Sequence, residues 1–268
     1  MTTSTPSIPL RDDTLTICAI SLLAAMIADG LHEAVGHATL AVLLGAQSGV
    51  LSTVAWSSTF ESRLVAAGGT LVNLAAGAIF YLLLRRAKHV SASRRYFLLL
   101  CMAFNLFDGT GYFFFSGVTN FGDWAQVIAN SHPHWLWRTT LVVVGMAAYY
   151  GAVVLLGTTF ERDLGIVASD PRLTRLSVLP YLSAVVLVTV SGLFNPIGIR
   201  LVFLSALPAT AGAYSGLLWF RYYIPSTATP ARGAEILSRN YAWISVAAIL
   251  SLAFIIVLGR GITISLQS

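Results

Sequence analysis

Two histidines and a glutamate lie close together near the start of the chain, in the sequence His-Glu-Ala-Val-Gly-His at residues 32–37. Imidazole nitrogens are common ligands of Zn²⁺, and a carboxylate beside them can act as the base that activates a water on the metal. The surrounding segment is apolar enough to lie in a bilayer, where ionisable side chains are costly unless they are paired, hydrated or bound to a metal. These residue types therefore predict the zinc centre of a hydrolase.

The spacing of the two histidines leaves two geometries open. Zinc hydrolases commonly place two histidines four residues apart on one helical face, whereas here they are five apart. In an ideal α-helix His32 and His37 would point about 140° apart. A π-bulge, eased by Gly36, would bring both imidazoles to one metal, with Glu33 as the base. Alternatively, Glu33 and His37 are the ligands. The longer His-Glu-x-x-Gly-His form resembles the zinc motif of the dipeptidyl peptidase III family, in which both histidines bind zinc.

Further polar residues in apolar segments are candidates for the same site. Asp108, in Asn-Leu-Phe-Asp-Gly, is the one carboxylate of its segment, and a lone Asp in a membrane span predicts a functional site. It fits a third zinc ligand, although a structural carboxylate is the alternative. Asn73 and Asn105 need buried partners and are candidates for contacts to substrate or to the ligands. Asp29, one turn before His32, is a candidate for orienting an imidazole.

Composition places the chain in a membrane. It is 56% hydrophobic and 10% charged, with a mean hydropathy of +0.77, against about 25% charged residues in soluble domains. Apolar stretches approach the ~20 residues that a helix needs to cross a bilayer, and they lie at about 14–46, 64–84, 96–117, 136–157, 176–194, 199–220 and 240–258. The sequence predicts an all-α, polytopic helix bundle of six to seven spans. Residues 1–13 are polar and predicted to be disordered.

The distribution of positive charge predicts the orientation. Five Arg and Lys residues lie in the short connection 85–95, which the positive-inside rule places in the cytoplasm. With seven spans, twelve of the sixteen Arg and Lys residues lie on that side. The N-terminus is therefore predicted to be cytoplasmic and the membrane to be the plasma (inner) membrane. Membrane orientation alone accounts for these basic residues. No nucleic acid is therefore expected as a partner.

Three elements in order resemble the site-2 protease family of intramembrane zinc metalloproteases. They are the His-Glu motif on a long first helix, the Gly-Thr-Leu-Val-Asn sequence at 69–73 and the Asn-Leu-Phe-Asp-Gly sequence at 105–109. The chain departs from the family pattern by the extra residue in the first motif, by Thr70 in place of Pro, and by the lack of Pro before Asp-Gly.

The resemblance implies His32, His37 and Asp108 as zinc ligands and Glu33 as the catalytic base, with Asn73 as a substrate contact. It implies a metalloprotease-like core at 14–117 followed by additional helices at 118–268 without an assigned role. The expected partners are the lipid bilayer and a membrane-protein or peptide substrate. The alternative function is an inactive scaffold or transporter-like protein that keeps the polar cluster for helix packing. Asp123, after a Gly-rich stretch, is interpreted as part of a helix N-terminus or as a rim or gating residue.

Overall fold

The fold is an all-α bundle of apolar helices, as the sequence predicts. The computed structural model describes residues 11–87, 89–195, 202–203, 207–225 and 236–266. Within these ranges, six helices are long and apolar enough to cross a membrane, and they comprise Thr14–Leu43, Arg63–Arg86, Ala92–Thr119, His134–Leu164, Leu173–Gly192 and Tyr241–Leu258. The protein is therefore an integral membrane protein of the polytopic class.

The first of these helices changes its winding partway along. It consists of α1 (Thr14–Gly30), a π-helix (Leu31–Thr39) and α2 (Leu40–Leu43). Asp13 caps its N-terminus by accepting a hydrogen bond from the backbone N–H of Thr16. The π-helical segment contains the whole His-Glu motif, so the backbone departs from α-helical winding at the place where the chemistry is expected.

The other elements follow in chain order. They are β1 (Ser48–Leu51), β2 (Trp56–Ser57), α3 (Arg63–Arg86), α4 (Ala92–Thr119), α5 (Asp123–Ile128), α6 (His134–Leu164), α7 (Leu173–Gly192), α8 (Leu207–Tyr214), α9 (Gly216–Trp219), a 3₁₀ turn (Phe220–Tyr223), α10 (Tyr241–Ala253), a second π-helix (Phe254–Leu258) and β3 (Ile262–Ser265).

Helix α4 lies at the centre of the bundle. It packs against α1, α3, α6 and α8, and large side chains along it, including Tyr96, Phe104 and Phe107, are fully buried. Asn105 lies in this buried stretch with no exposed surface. A polar side chain at that depth needs hydrogen-bond partners, and α4 therefore presents Asn105 directly to the neighbouring helices.

Contacts at the two ends of the bundle show how the chain passes through it. At one end, Arg172 forms an ion pair with Asp12, whose Oδ1 also accepts from the backbone N–H of Leu237. At the other end, Asn195 donates to the hydroxyl of Ser52. The chain therefore returns from one end to the other between Asn195 and Leu237. The helices α8 and α9, described between these two residues, are short. The predicted span at 199–220 is therefore not one continuous helix in its described part.

A small antiparallel sheet covers the end of the bundle to which the first helix leads. Its strand order is β2-β1-β3, with Val50 opposite both Ser57 and Thr263. The sheet joins the connection after the first helix to the segment after the last one. The sequence predicted helices only, so this sheet was not predicted. A disordered tail was predicted at 1–13. Its residues 1–10 lie outside the described residues, whereas Asp12 and Asp13 form hydrogen bonds with Leu237.

Candidate metal centre

The π-helix brings the two histidines of the motif together. The ring centroids of His32 and His37 are 4.8 Å apart, with the ring planes at 72°. One potential ligand atom from each of His32, Glu33 and His37 lies within 4.8 Å of the others, and all three residues are buried. No second group of this kind occurs in the described parts of the chain. Of the two geometries left open by the spacing, the structure adopts the π-helical one.

Backbone contact between the π-helix and α3 explains why this geometry forms. A Cβ atom on Gly36 would lie 2.4 Å from the Cα of Gly69, and one on Gly68 would lie 2.0 Å from the carbonyl oxygen of Gly36. These distances are too short for any side chain, so the helices approach as closely as small residues permit. A Cβ on Gly69 would also lie 2.5 Å from the Nε2 atoms of both His32 and His37. Glycine at 69 therefore leaves the space into which both Nε2 atoms point.

Hydrogen bonds to the far side of each ring determine which nitrogen is available to a metal. Nδ1 of His37 lies 2.7 Å from the carbonyl oxygen of Val65. Since a carbonyl oxygen only accepts, Nδ1 must carry the proton. Nδ1 of His32 lies 2.7 Å from Oδ1 of Asn73 and donates in the same way. A bound metal would be coordinated through the lone pair of each deprotonated Nε2, with Nδ1 still donating on the far side, which is the arrangement that metal-binding histidines require.

A chain of buried amides holds His32 in this orientation. The side-chain nitrogen of Asn73 donates to Oδ1 of Asn105 at 3.0 Å and to the carbonyl of Ala28 at 3.2 Å. Asn105 in turn donates to the carbonyl of Cys101. These bonds leave the Asn73 oxygen facing His32. These contacts agree with the predicted role of Asn73 and Asn105 in orienting the histidine, and the predicted contact with substrate stays a prediction.

Asp123 contacts both histidines, which the sequence did not predict. Its Oδ2 lies 3.1 Å from Nε2 of His32 and 3.4 Å from Nε2 of His37. Asp123 is the first residue of α5, which agrees with its interpretation as part of a helix N-terminus. Its side chain, however, turns toward the π-helix. Burial opposes ionisation of this carboxyl group, yet hydrogen bonds donated by the Nε2–H groups of the two imidazoles outweigh it and hold the pKa of Asp123 below its ordinary value.

Asp108 and Asp29 lie on the opposite side of the motif. Oδ2 of Asp108 accepts a hydrogen bond from the Tyr214 hydroxyl at 2.9 Å. With Asp29, Thr53 and Glu33, these residues line a cavity of about 40 Å³, enough for one or two water molecules. The structure thus brings Asp108 near the motif but not into the group formed by the histidines and Glu33, and its role as a third ligand stays a prediction. Asp29 does not contact the ring nitrogens of His32, which Asn73 and Asp123 occupy.

A larger cavity opens beside the histidines. It has a volume of about 670 Å³, a size typical of small-molecule sites, and is lined by residues that include Glu33, His37, Trp56, Tyr112 and Asp123. Tyr112 stacks on His32, with ring centroids 4.8 Å apart. The sequence analysis missed it, although its position one helical turn after Asp108 places both on the same face of α4.

Glu33 lines both this larger cavity and the smaller one beside Asp108. Its Oε2 atom is buried and has no hydrogen-bond partner among the described residues. A buried, unpaired carboxylate oxygen is costly unless a ligand, a proton or a water satisfies it. The site therefore combines two imidazole nitrogens, which can bind a metal once their Nε2 protons are lost, with a buried carboxylate oxygen that has no partner among the described residues.

Comparison with known proteins returned no match: no protein-family model, no curated protein and no solved structure matches the chain.

Proposed function

We propose that the protein is a membrane-embedded zinc metalloprotease, which hydrolyses peptide bonds of membrane-associated substrates. The observation that carries this proposal is the convergence of the Nε2 atoms of His32 and His37 beside the unpaired oxygen of Glu33. Two imidazoles with a nearby carboxylate are a typical donor set for catalytic zinc. A distant relationship to the site-2 protease family is part of the proposal and rests on the order of the three motifs alone.

The residues divide into those that would hold the metal and one that would move a proton. His32 and His37 would bind the metal through deprotonated Nε2 atoms, and their other ring nitrogens are fixed by Asn73 and Val65. Bound zinc would supply Lewis acidity and lower the pKa of a coordinated water. Glu33 would take a proton from that water, because it lines the cavity and its Oε2 atom has no hydrogen-bond partner among the described residues.

The surroundings of the cavity favour a peptide as substrate. Strand β2 lies at an edge of the sheet, and its residues Trp56 and Ser57 line the cavity next to Glu33. An edge strand offers backbone groups to which an extended peptide can pair. Many large apolar side chains on the long helices are exposed, for example Ile79, Val143 and Ile249. A helix surface of this kind requires lipid around it, so the substrate is expected at or in the bilayer.

Metal content and peptide hydrolysis of the purified chain test the proposal. We expect about one zinc per chain after purification in detergent, removal by a chelator, and cleavage of a quenched fluorogenic peptide library in proteoliposomes that depends on re-added zinc. A well-folded protein that binds no metal and cleaves no peptide would instead favour the alternative function, a scaffold that keeps the polar cluster for packing.

The side of the membrane on which the cavity opens is a separate prediction. The cavity lies at the end of the bundle opposite to the connection 85–95, since its lining comes from the segments between β1 and α3 and between α4 and α6. The positive-inside rule places the basic connection in the cytoplasm. We therefore propose a cytoplasmic N-terminus and a cavity that opens on the external side of the plasma (inner) membrane.

Single-cysteine labelling tests this orientation. Ser91 and Asn130 are exposed at opposite ends of the bundle and are therefore accessible to a reagent. Ala92, next to Ser91, is buried and unsuitable for labelling. In a background without Cys18 and Cys101, a membrane-impermeant thiol reagent should label Asn130→Cys in intact cells and Ser91→Cys only after permeabilisation. The reverse pattern would place the cavity on the cytoplasmic side.

A further inference from the structure

Asp123 and Asp108 are the two carboxylates that could complete a three-ligand metal site around the histidines. They lie on different sides of the motif, and they come from different parts of the chain. Asp108 is in the middle of the long helix α4, whereas Asp123 begins the six-residue helix α5, outside the long helices. The choice between them decides whether the site is built within the bundle or is closed by a connection at its end.

The distances favour Asp123. Two oxygen or nitrogen ligands of one tetrahedral zinc ion lie about 3.3 Å apart, because each bond is about 2.0–2.1 Å long. Oδ2 of Asp123 lies 3.1 Å and 3.4 Å from the Nε2 atoms of His32 and His37. The Asp123 oxygen thus lies at the spacing that a shared metal requires from each of the two imidazole nitrogens.

The contacts of Asp108 assign it elsewhere. Its Oδ2 accepts from the hydroxyl of Tyr214, and it lines the small cavity of about 40 Å³ with Asp29. His32 and Glu33 line the same cavity, so Asp108 is close to the motif. Asp108 forms no hydrogen bond or ion pair with either Nε2 atom. Nε2 of His32 instead faces Asp123.

The backbone before Asp123 is shaped to direct it inward. Helix α4 ends at Asn120 in a left-handed conformation, with φ of 54°, and Gly122 has φ of 82°, which a residue with a side chain rarely adopts. These two positions turn the chain back toward the bundle. Trp124 then packs on Phe113, with ring centroids 4.6 Å apart, and Ile128 is buried. The turn and these contacts hold Asp123 in place.

We infer that Asp123 is the third protein ligand of the metal and that Asp108 is not a ligand. This inference rests on the proposed function, since it presupposes that a metal binds. It means that the connection between α4 and α6 closes the metal site from the end of the bundle, next to the larger cavity. It also leaves Glu33, whose Oε2 has no hydrogen-bond partner among the described residues, free of the metal.

Zinc content of matched variants tests the inference without any measurement of activity. Asp123→Asn and Asp108→Asn each remove one negative charge and keep the side-chain shape. We expect Asp123→Asn to lower zinc affinity by more than about 100-fold. Replacing a residue that only holds a ligand in place lowers affinity by up to about 100-fold, so a larger loss indicates a direct ligand. Asp108→Asn should retain stoichiometric zinc. The inference is overturned if Asp123→Asn keeps normal affinity, whatever happens in Asp108→Asn.

A second pair of variants reports on direct ligation and does not depend on loss of binding. In protein loaded with Co²⁺, Asp123→Cys should show a thiolate-to-cobalt charge-transfer band, which requires sulfur bonded to the metal. Asp108→Cys and the wild-type chain should lack it. A band in Asp108→Cys but not in Asp123→Cys would assign the ligand to Asp108. If the wild-type chain binds neither Zn²⁺ nor Co²⁺, the proposed function itself fails, and this result is distinct from either assignment.

Discussion

Replacing Glu33 by Gln should abolish peptide hydrolysis while the zinc content stays at the wild-type level. Gln has nearly the same shape as Glu, but it cannot accept a proton from a water. Loss of a general base typically lowers a rate by about 10²–10⁴-fold. The measurement is the cleavage rate of a fluorogenic peptide in proteoliposomes, together with metal analysis of the same preparation.

Glu161→Gln is the matched control for this variant. Glu161 lies near the end of α6, at the opposite end of the bundle from the cavity, and the same chemical change there should leave both rate and metal content unaltered. Wild-type activity in Glu33→Gln would remove Glu33 from the mechanism. A loss of zinc in that variant would instead identify Glu33 as a ligand.

Replacing either histidine of the motif by Ala should strip the metal from the protein. Catalytic zinc sites use three protein ligands, and the two Nε2 atoms are the donors that the π-helix brings together. Removal of one imidazole leaves two donors, so we expect both His32→Ala and His37→Ala to lose zinc on dialysis. Metal analysis and the d–d absorption of the Co²⁺ form measure this directly.

His32→Ala separates the two geometries that the motif spacing allows. If this variant keeps zinc at near-normal affinity while His37→Ala loses it, Glu33 and His37 are the helix ligands and the π-helical pairing of imidazoles has no role in binding. His89→Ala provides the control, because His89 is exposed at the other end of the bundle and should retain zinc in full. Retention of zinc in both motif variants would contradict the proposed metal centre.

The long helices could be predicted from the sequence because lipid exposure leaves a local signal. Stretches predicted at 64–84 and 96–117 correspond to Arg63–Arg86 and Ala92–Thr119 in the structure. Each span is apolar along its own length, and its backbone hydrogen bonds close within the segment. The boundaries therefore follow from residues that are neighbours in the chain, without knowledge of the packing.

The residues of the motif were also evident, but their geometry was not. Five-residue spacing is compatible with an α-helix that separates His32 and His37 and with a π-helix that joins them. The deciding contact is the backbone approach of Gly36 to Gly69 on α3, which depends on how two distant segments pack. Likewise, the sequence identified Asn73 as a buried polar group, and only packing against α1 and α4 shows that it holds His32.

Two features had no readable local signal. Strands β1 and β3 pair across more than two hundred residues, and four-residue segments of this kind carry too little periodicity to be recognised. Asp123 reaches the histidines because the chain reverses at Asn120 and Gly122 after α4. Sequence order indicates that a turn follows a helix, but the direction of that turn depends on backbone angles that tertiary contacts select. The amino-acid pattern thus determined the membrane helices and the chemical groups, while long-range packing decided which of those groups meet.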